Sequence, residues 1–173
     1  MKRFTAASTD LADCIEHALH EYHSELKDVT VGALFVFDED SEAPPLMHGG
    51  YPAAAVVRIT PIRDRALGVP DAVIVVDRDG WVDLTGAQRV ALIDHELTHL
   101  SRVLDEKTQR PKRDAIGRPK LRIRKHDHQL GWFDEIAQRH GENSPEIRQA
   151  RALVEQTQQL YFDFSARLPA KAA

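Results

Sequence analysis

Cysteine occurs once in these 173 residues, so no disulfide can form within the chain and a reducing compartment suits it. No apolar run approaches the roughly 18 residues of a membrane span. The opening MKRFTAASTDLADCIEHALHEYH has neither the apolar core nor the small-residue cleavage site of a secretory leader. These absences lead to the expectation of a cytoplasmic protein without a membrane contact. Internal repeats and low-complexity tracts are missing too, which sets aside solenoids and arrays. Acidic residues are scarce in one place only. Residues 107–125, KTQRPKRDAIGRPKLRIRK, hold nine Lys/Arg against the single Asp114. That segment carries +8, so the rest carries −12 within the overall −4. The imbalance predicts either a contact surface for nucleic acid or an acidic partner, spanning Lys107–Lys125, or a solvated loop.

What is present is ordinary for a globular domain: 42% hydrophobic and 29% charged residues, at a length that suits one domain over 1–173. Ser8, Thr9 and Asp10 precede Leu11, Ile15, Ala18, Leu19 and Tyr22 at helical spacing, so the first element reads as an amphipathic helix. Cys14 lies among those apolar positions and is expected to be a buried helix residue without chemistry. VTVGALFVF (29–37), AAAVVRITPI (53–62) and AVIVVD (72–77) read as strands, the last apolar on both faces and therefore central. Thr85 and Gln88 form a capping box that opens a second long helix, expected to run to about Asp105. A basic hairpin with a turn at DAIGRP and a strand at LRIRK follows, inserted at about 107–125. QLGWFDEIAQRH reads as a short helix ended by Gly141, and Ser144 with Pro145 opens a last helix. The order of elements predicts an α+β fold.

The second long helix carries ALIDHELTHL (91–100), in which His95, Glu96 and His99 form H-E-x-x-H. Histidines at i and i+4 lie one above the other, so both imidazoles can reach one ion at about 2.0 Å. A glutamate beside the first histidine can take a proton from water whose pKa the metal has lowered to about 7. Glu96 is the natural general base. The apolar stripe of Val90, Ile93, Leu97, Leu100 and Leu104 lies roughly opposite the two histidines. A catalytic zinc usually takes a third protein ligand, and KHDHQLGWFDE offers His126, Asp127, His128, Asp134 and Glu135. Spacing alone does not choose among them.

These pieces resemble the phage metallopeptidase family, a zincin-like group distantly similar to SprT-like proteases. The resemblance rests on RDRALGVPDAVIVVDRDGW, QRVALIDHELTHL, GRPKLRIRKHD and FDEIAQRHG, within about residues 56–141. It implies His126 as third ligand, from a His-Asp pair following a basic strand, with Phe133 and Gly141 marking the next helix, and it lands the catalytic role on Glu96. It also implies a phage or bacterial source. His128 departs from the pattern and is a candidate additional ligand or transition-state donor. Asp94 and Asp127 are candidates for carboxylates that hold a ligand imidazole by its other N–H.

The resulting expectation is a zinc-dependent metallopeptidase acting on protein or peptide substrates. Its small twisted sheet packs on the N-terminal helix and the H-E-x-x-H helix, with the metal between a sheet edge and the C-terminal helices, and an edge strand receives extended substrate. Three alternatives compete with a peptidase acting alone. One is a non-catalytic metal-containing module that binds nucleic acid or protein through 107–125. Another is a phosphohydrolase built on His126-Asp127, which the β-rich 29–77 region disfavours. The third is a peptidase brought to nucleic-acid-bound proteins by the basic hairpin. Trp81 and Trp132 read as core residues rather than cleft walls. His17, His20 and His23 read as ordinary histidines on a solvated face. Tyr51, near HGG, is an oxyanion-donor candidate that nothing in the sequence ties to the metal.

Overall fold

The computed structural model describes residues 1–41, 43–126 and 132–166, and of 156–166 the backbone alone. Its frame is a four-stranded mixed sheet in the order β1 (Lys2–Ala6), β2 (Val31–Asp38), β6 (Ala72–Asp77), β5 (Ala55–Ile59). β2 and β6 run parallel and the outer pairs antiparallel. The apolar β6 is central as its sequence predicts, because only a strand covered on both faces can be Val/Ile-rich throughout. β5 exposes Arg58 and lies at the edge. A two-residue hairpin, β3 (Met47–His48) and β4 (Tyr51–Pro52), precedes β5. Its turn glycines, Gly49 and Gly50, have φ of +57° and +89°, a combination that strongly favours glycine.

One face of the sheet carries the main core. Leu11, Ile15 and Ala18 of α1 (Thr9–Tyr22) pack there with Leu92, Ile93 and Leu97 of α4 (Gly86–Thr98), against Phe35, Val57, Ile74 and Val76. Short helices α2 (Ile62–Ala66) and α3 (Arg78–Val82) flank β6, and α5 (Asp134–His140) and α6 (Pro145–Ala166) close the chain. The Thr85–Gln88 capping box forms at the start of α4. Ser144 accepts the Ile147 N–H at 3.1 Å, which is its predicted capping role. Among the described residues no helix is long and apolar enough to cross a membrane.

Three expectations change. α4 ends at Thr98 rather than near Asp105, because the chain turns into β7 (Leu100–Arg102), which pairs with β8 (Leu121–Ile123). Leu100 stays buried, but Leu104, read as part of the helical stripe, is 44% exposed. Cys14 is half-buried rather than buried. The basic segment, for its part, is a pinned β structure and not a loose loop. Val103 donates to the carbonyl of Lys120, Lys112 to that of Val103 and Lys120 to that of Lys112. Arg118 reaches buried Asp71, whose carboxylate also binds Arg65 and the backbone and hydroxyl of Thr30. Burial works against ionising Asp71, but these donors outweigh it and hold its pKa below the usual carboxylate range.

Candidate metal centre

α4 places His95 and His99 one turn apart at its C-terminal end, where the sheet edge, β8 and α6 converge. Each ring is fixed through Nδ1. His95 Nδ1 donates to Glu146 Oε1 at 2.7 Å, and His99 Nδ1 donates to the Arg124 carbonyl at 2.8 Å. The Arg124 N–H returns a bond to the His99 carbonyl at 2.7 Å, so the chain leaving β8 grips the last residue of the motif twice. These contacts leave both Nε2 atoms to face the centre. Two residues past Arg124, His126 brings its own Nε2 to 3.3 Å from that of His95.

The three imidazoles offer ligand atoms within 4.8 Å of one another. Nitrogens bound to one tetrahedral ion at about 2.0–2.1 Å would lie about 3.3 Å apart, so the His95–His126 spacing suits one ion between them. Phe133 is fully buried beneath all three rings, at centroid distances of 5.0, 4.8 and 5.0 Å from His95, His99 and His126. The donor set is all imidazole, a fit for zinc and neighbouring transition metals rather than for calcium or magnesium. Burial pushes the pKa of His99 down to about 4, helped by the positive fields of His95, His126 and His48 and opposed by the Arg124 carbonyl. Its ring is therefore neutral at pH 7, the state that ligates.

Glu96 lies beside His95 and is 5% exposed. Its Oε2 accepts the backbone N–H of Val57, on edge strand β5, at 2.7 Å. Burial raises its pKa, while His95 and the Val57 N–H pull the other way. A carboxylate biased toward holding a proton, tethered through one oxygen, has the properties required of a general base.

Among the described residues, the groups bonded to the Asp94 carboxylate are not the three centre imidazoles. His23 Nε2 at 2.7 Å, His140 Nε2 at 2.5 Å and Arg139 Nη1 surround it. Burial disfavours its charge, yet these donors outweigh burial and keep it ionised well below the usual carboxylate range. His23 therefore belongs to a buried network joining α1, α4 and α5, and not to a solvated face. Burial opposes its protonation, but Asp94 and Glu25 outweigh it and raise its pKa. The carboxylate that holds His95 is Glu146, 1% exposed. Nothing in the sequence marks it, because an acid in the first turn of a helix ordinarily serves the helix dipole. Trp81 is core, whereas Trp132 is half-buried and donates to Gln149 Oε1 at 3.0 Å. Tyr51 is 76% exposed, paired in register with His48 on the β3–β4 hairpin. Asp127 and His128 lie outside the described residues.

Three converging imidazoles beside a buried carboxylate, set between a helix and a sheet edge, define a metal-binding α+β domain. A family model described as putative phage metallopeptidase matches residues 2–164, and the chain belongs to that family. Membership brings with it, at that level, a metal cofactor and protein or peptide substrates. No curated protein and no solved structure matches the chain.

Proposed function

We propose that this protein is a zincin-like, zinc-dependent metallopeptidase in which His95, His99 and His126 hold the ion and Glu96 is the general base. The observation that carries the reading is the meeting of three Nε2-presenting imidazoles with Glu96, the only acid of the H-E-x-x-H motif, at the edge of β5. A zinc ion held there would supply Lewis acidity, to polarise the scissile carbonyl and acidify water. Glu96 takes the proton from the attacking water and passes it to the leaving amine. The Val57 N–H orients the carboxylate and keeps one of its oxygens committed. Glu146 and the Arg124 carbonyl hold the ligand rings in the tautomer that leaves Nε2 free. His128 is assigned as an additional ligand or transition-state donor, and Asp127 as a carboxylate supporting the ligand ring.

β5 is the strand against which an extended substrate is placed. The ladder bonds to β6 run through Ala54 and Thr60, so the odd-numbered residues Ala55, Val57 and Ile59 direct their backbone groups outward. With the Val57 N–H taken by Glu96, a substrate strand pairs with what remains, at Ala55 and Ile59.

Bound zinc per chain, measured by elemental analysis, tests the centre. One zinc in the wild type, lost in His99→Ala and His126→Ala but retained in Glu96→Gln, is the expected result. Glu96→Gln should then lose cleavage by about 10²–10⁴-fold. A wild type that binds no metal after reconstitution would overturn the assignment.

A further inference from the structure

We infer that the basic segment forms a subsite for acidic side chains of the peptide substrate, beside the end of β5. This rests on the metallopeptidase reading, and the test below separates the two. Ile59, two residues beyond Val57 and so about 7 Å along the strand from the tether of Glu96, lines a surface depression of about 630 Å³. Ile62 and Leu121 add apolar wall, and Arg65, Arg113 and Lys120 supply cationic groups around it.

The charges do not cancel within the site. Arg65 is spent on Asp71 and on Asp114, the one acid of the depression. Arg113 gives one N–H to the Gly117 carbonyl at 2.7 Å, and neither it nor Lys120 has a carboxylate partner among the described residues. Lys120 donates its backbone N–H to the Lys112 carbonyl, and the Lys112 ammonium is itself paired with Asp105 at 3.8 Å, so the cations left open toward the depression are Arg113 and Lys120. The walls are also rigid, because Arg65 donates to the Pro119 carbonyl at 3.1 Å and Arg118 is anchored on Asp71.

An apolar wall continuous with the substrate strand favours a polypeptide over a polyphosphate as occupant. A peptide paired on β5 presents a side chain to this region every second residue. Aspartate or glutamate about two to four residues from the scissile bond, next to an aliphatic residue, fits both linings.

The test uses zinc-loaded Glu96→Gln protein and two short fluorescent peptides, one of alternating glutamate and valine and one with glutamine replacing glutamate. Anisotropy should show about tenfold tighter binding of the glutamate peptide, fading as salt is raised. Arg113→Glu with Lys120→Glu should erase that preference at unchanged zinc content. Equal affinity for both peptides would overturn the inference. So would a preference that survives the charge reversal, or an oligothymidylate that binds the depression when neither peptide does. Mapping wild-type cleavage sites separates the two readings. Acid preference in binding with no cleavage anywhere would sink the peptidase reading and leave the subsite standing, whereas cleavage indifferent to acids would do the reverse.

Discussion

Glu146 shows what a single buried group contributes to a metal centre two elements away. It accepts from His95 and from the Phe133 N–H at 3.3 Å, while its Oε2 is buried without a hydrogen-bond partner among the described residues. Glu146→Gln preserves the shape but weakens the acceptor that fixes the His95 tautomer. Zinc affinity should fall by about 10–100-fold, measured by competition with a chromogenic chelator, with secondary structure unchanged. His23 makes a second case, and the sign of its pH dependence follows from its raised pKa. The stability it contributes is full below its ordinary value of 6.5 and is lost as pH rises through the folded value. In urea melts of metal-free protein, His23→Gln should cost about 1–3 kcal/mol near pH 6, a gap that narrows as pH rises. A gap that widens with pH would contradict a charged His23 on Asp94. His95, Glu96 and His99 are legible from spacing because one helix carries them. Glu146 and His23 are not, since nothing local distinguishes an ordinary helix acid or an i+3 histidine from one that tertiary folding buries against a partner.

Elements were readable where one local signal dominates. The capping box marks the start of α4, and uninterrupted Val/Ile marks β6 as central. Local pattern misleads where it continues past the point at which long-range pairing takes over. Leu100 and Leu104 extend the helical spacing, yet the His99 carbonyl and β7 are claimed by Arg124 and β8, and the strand wins. β1 is not legible in the sequence, because the exposed KRFTA has no apolar alternation and is a strand only through β2. Within the basic segment the hairpin and its turn were legible, but its anchoring was not. That anchoring depends on Asp71, Thr30 and Arg65, far away in sequence.

At the scale of the whole molecule, the candidate metal centre draws on three separate parts of the chain: α4, the segment after β8 and, through Glu146, the last helix. A ligand that binds only the folded state stabilises it in proportion to the logarithm of its concentration over Kd. Removing zinc with a chelator should therefore lower Tm by several degrees, and restoring it should return the original value. His126→Ala should show no such response. A chelator-insensitive Tm in zinc-loaded wild type would mean that the ion does not tie these parts together.

The paired bonds between His99 and Arg124 make the position of His126 a matter of counting. Side chains alternate across a strand, so a slip of one residue carries the next side chain to the opposite face and moves it about 3.4 Å. One residue inserted between Arg124 and His126 would turn His126 away from the centre while the Arg124 grip holds, and zinc should be lost. The same insertion in the exposed turn at Glu106–Thr108, whose length nothing at the centre measures, should be tolerated. The exposed tip of this segment can therefore change in length without disturbing the centre, whereas the two-residue step from Arg124 to His126 cannot.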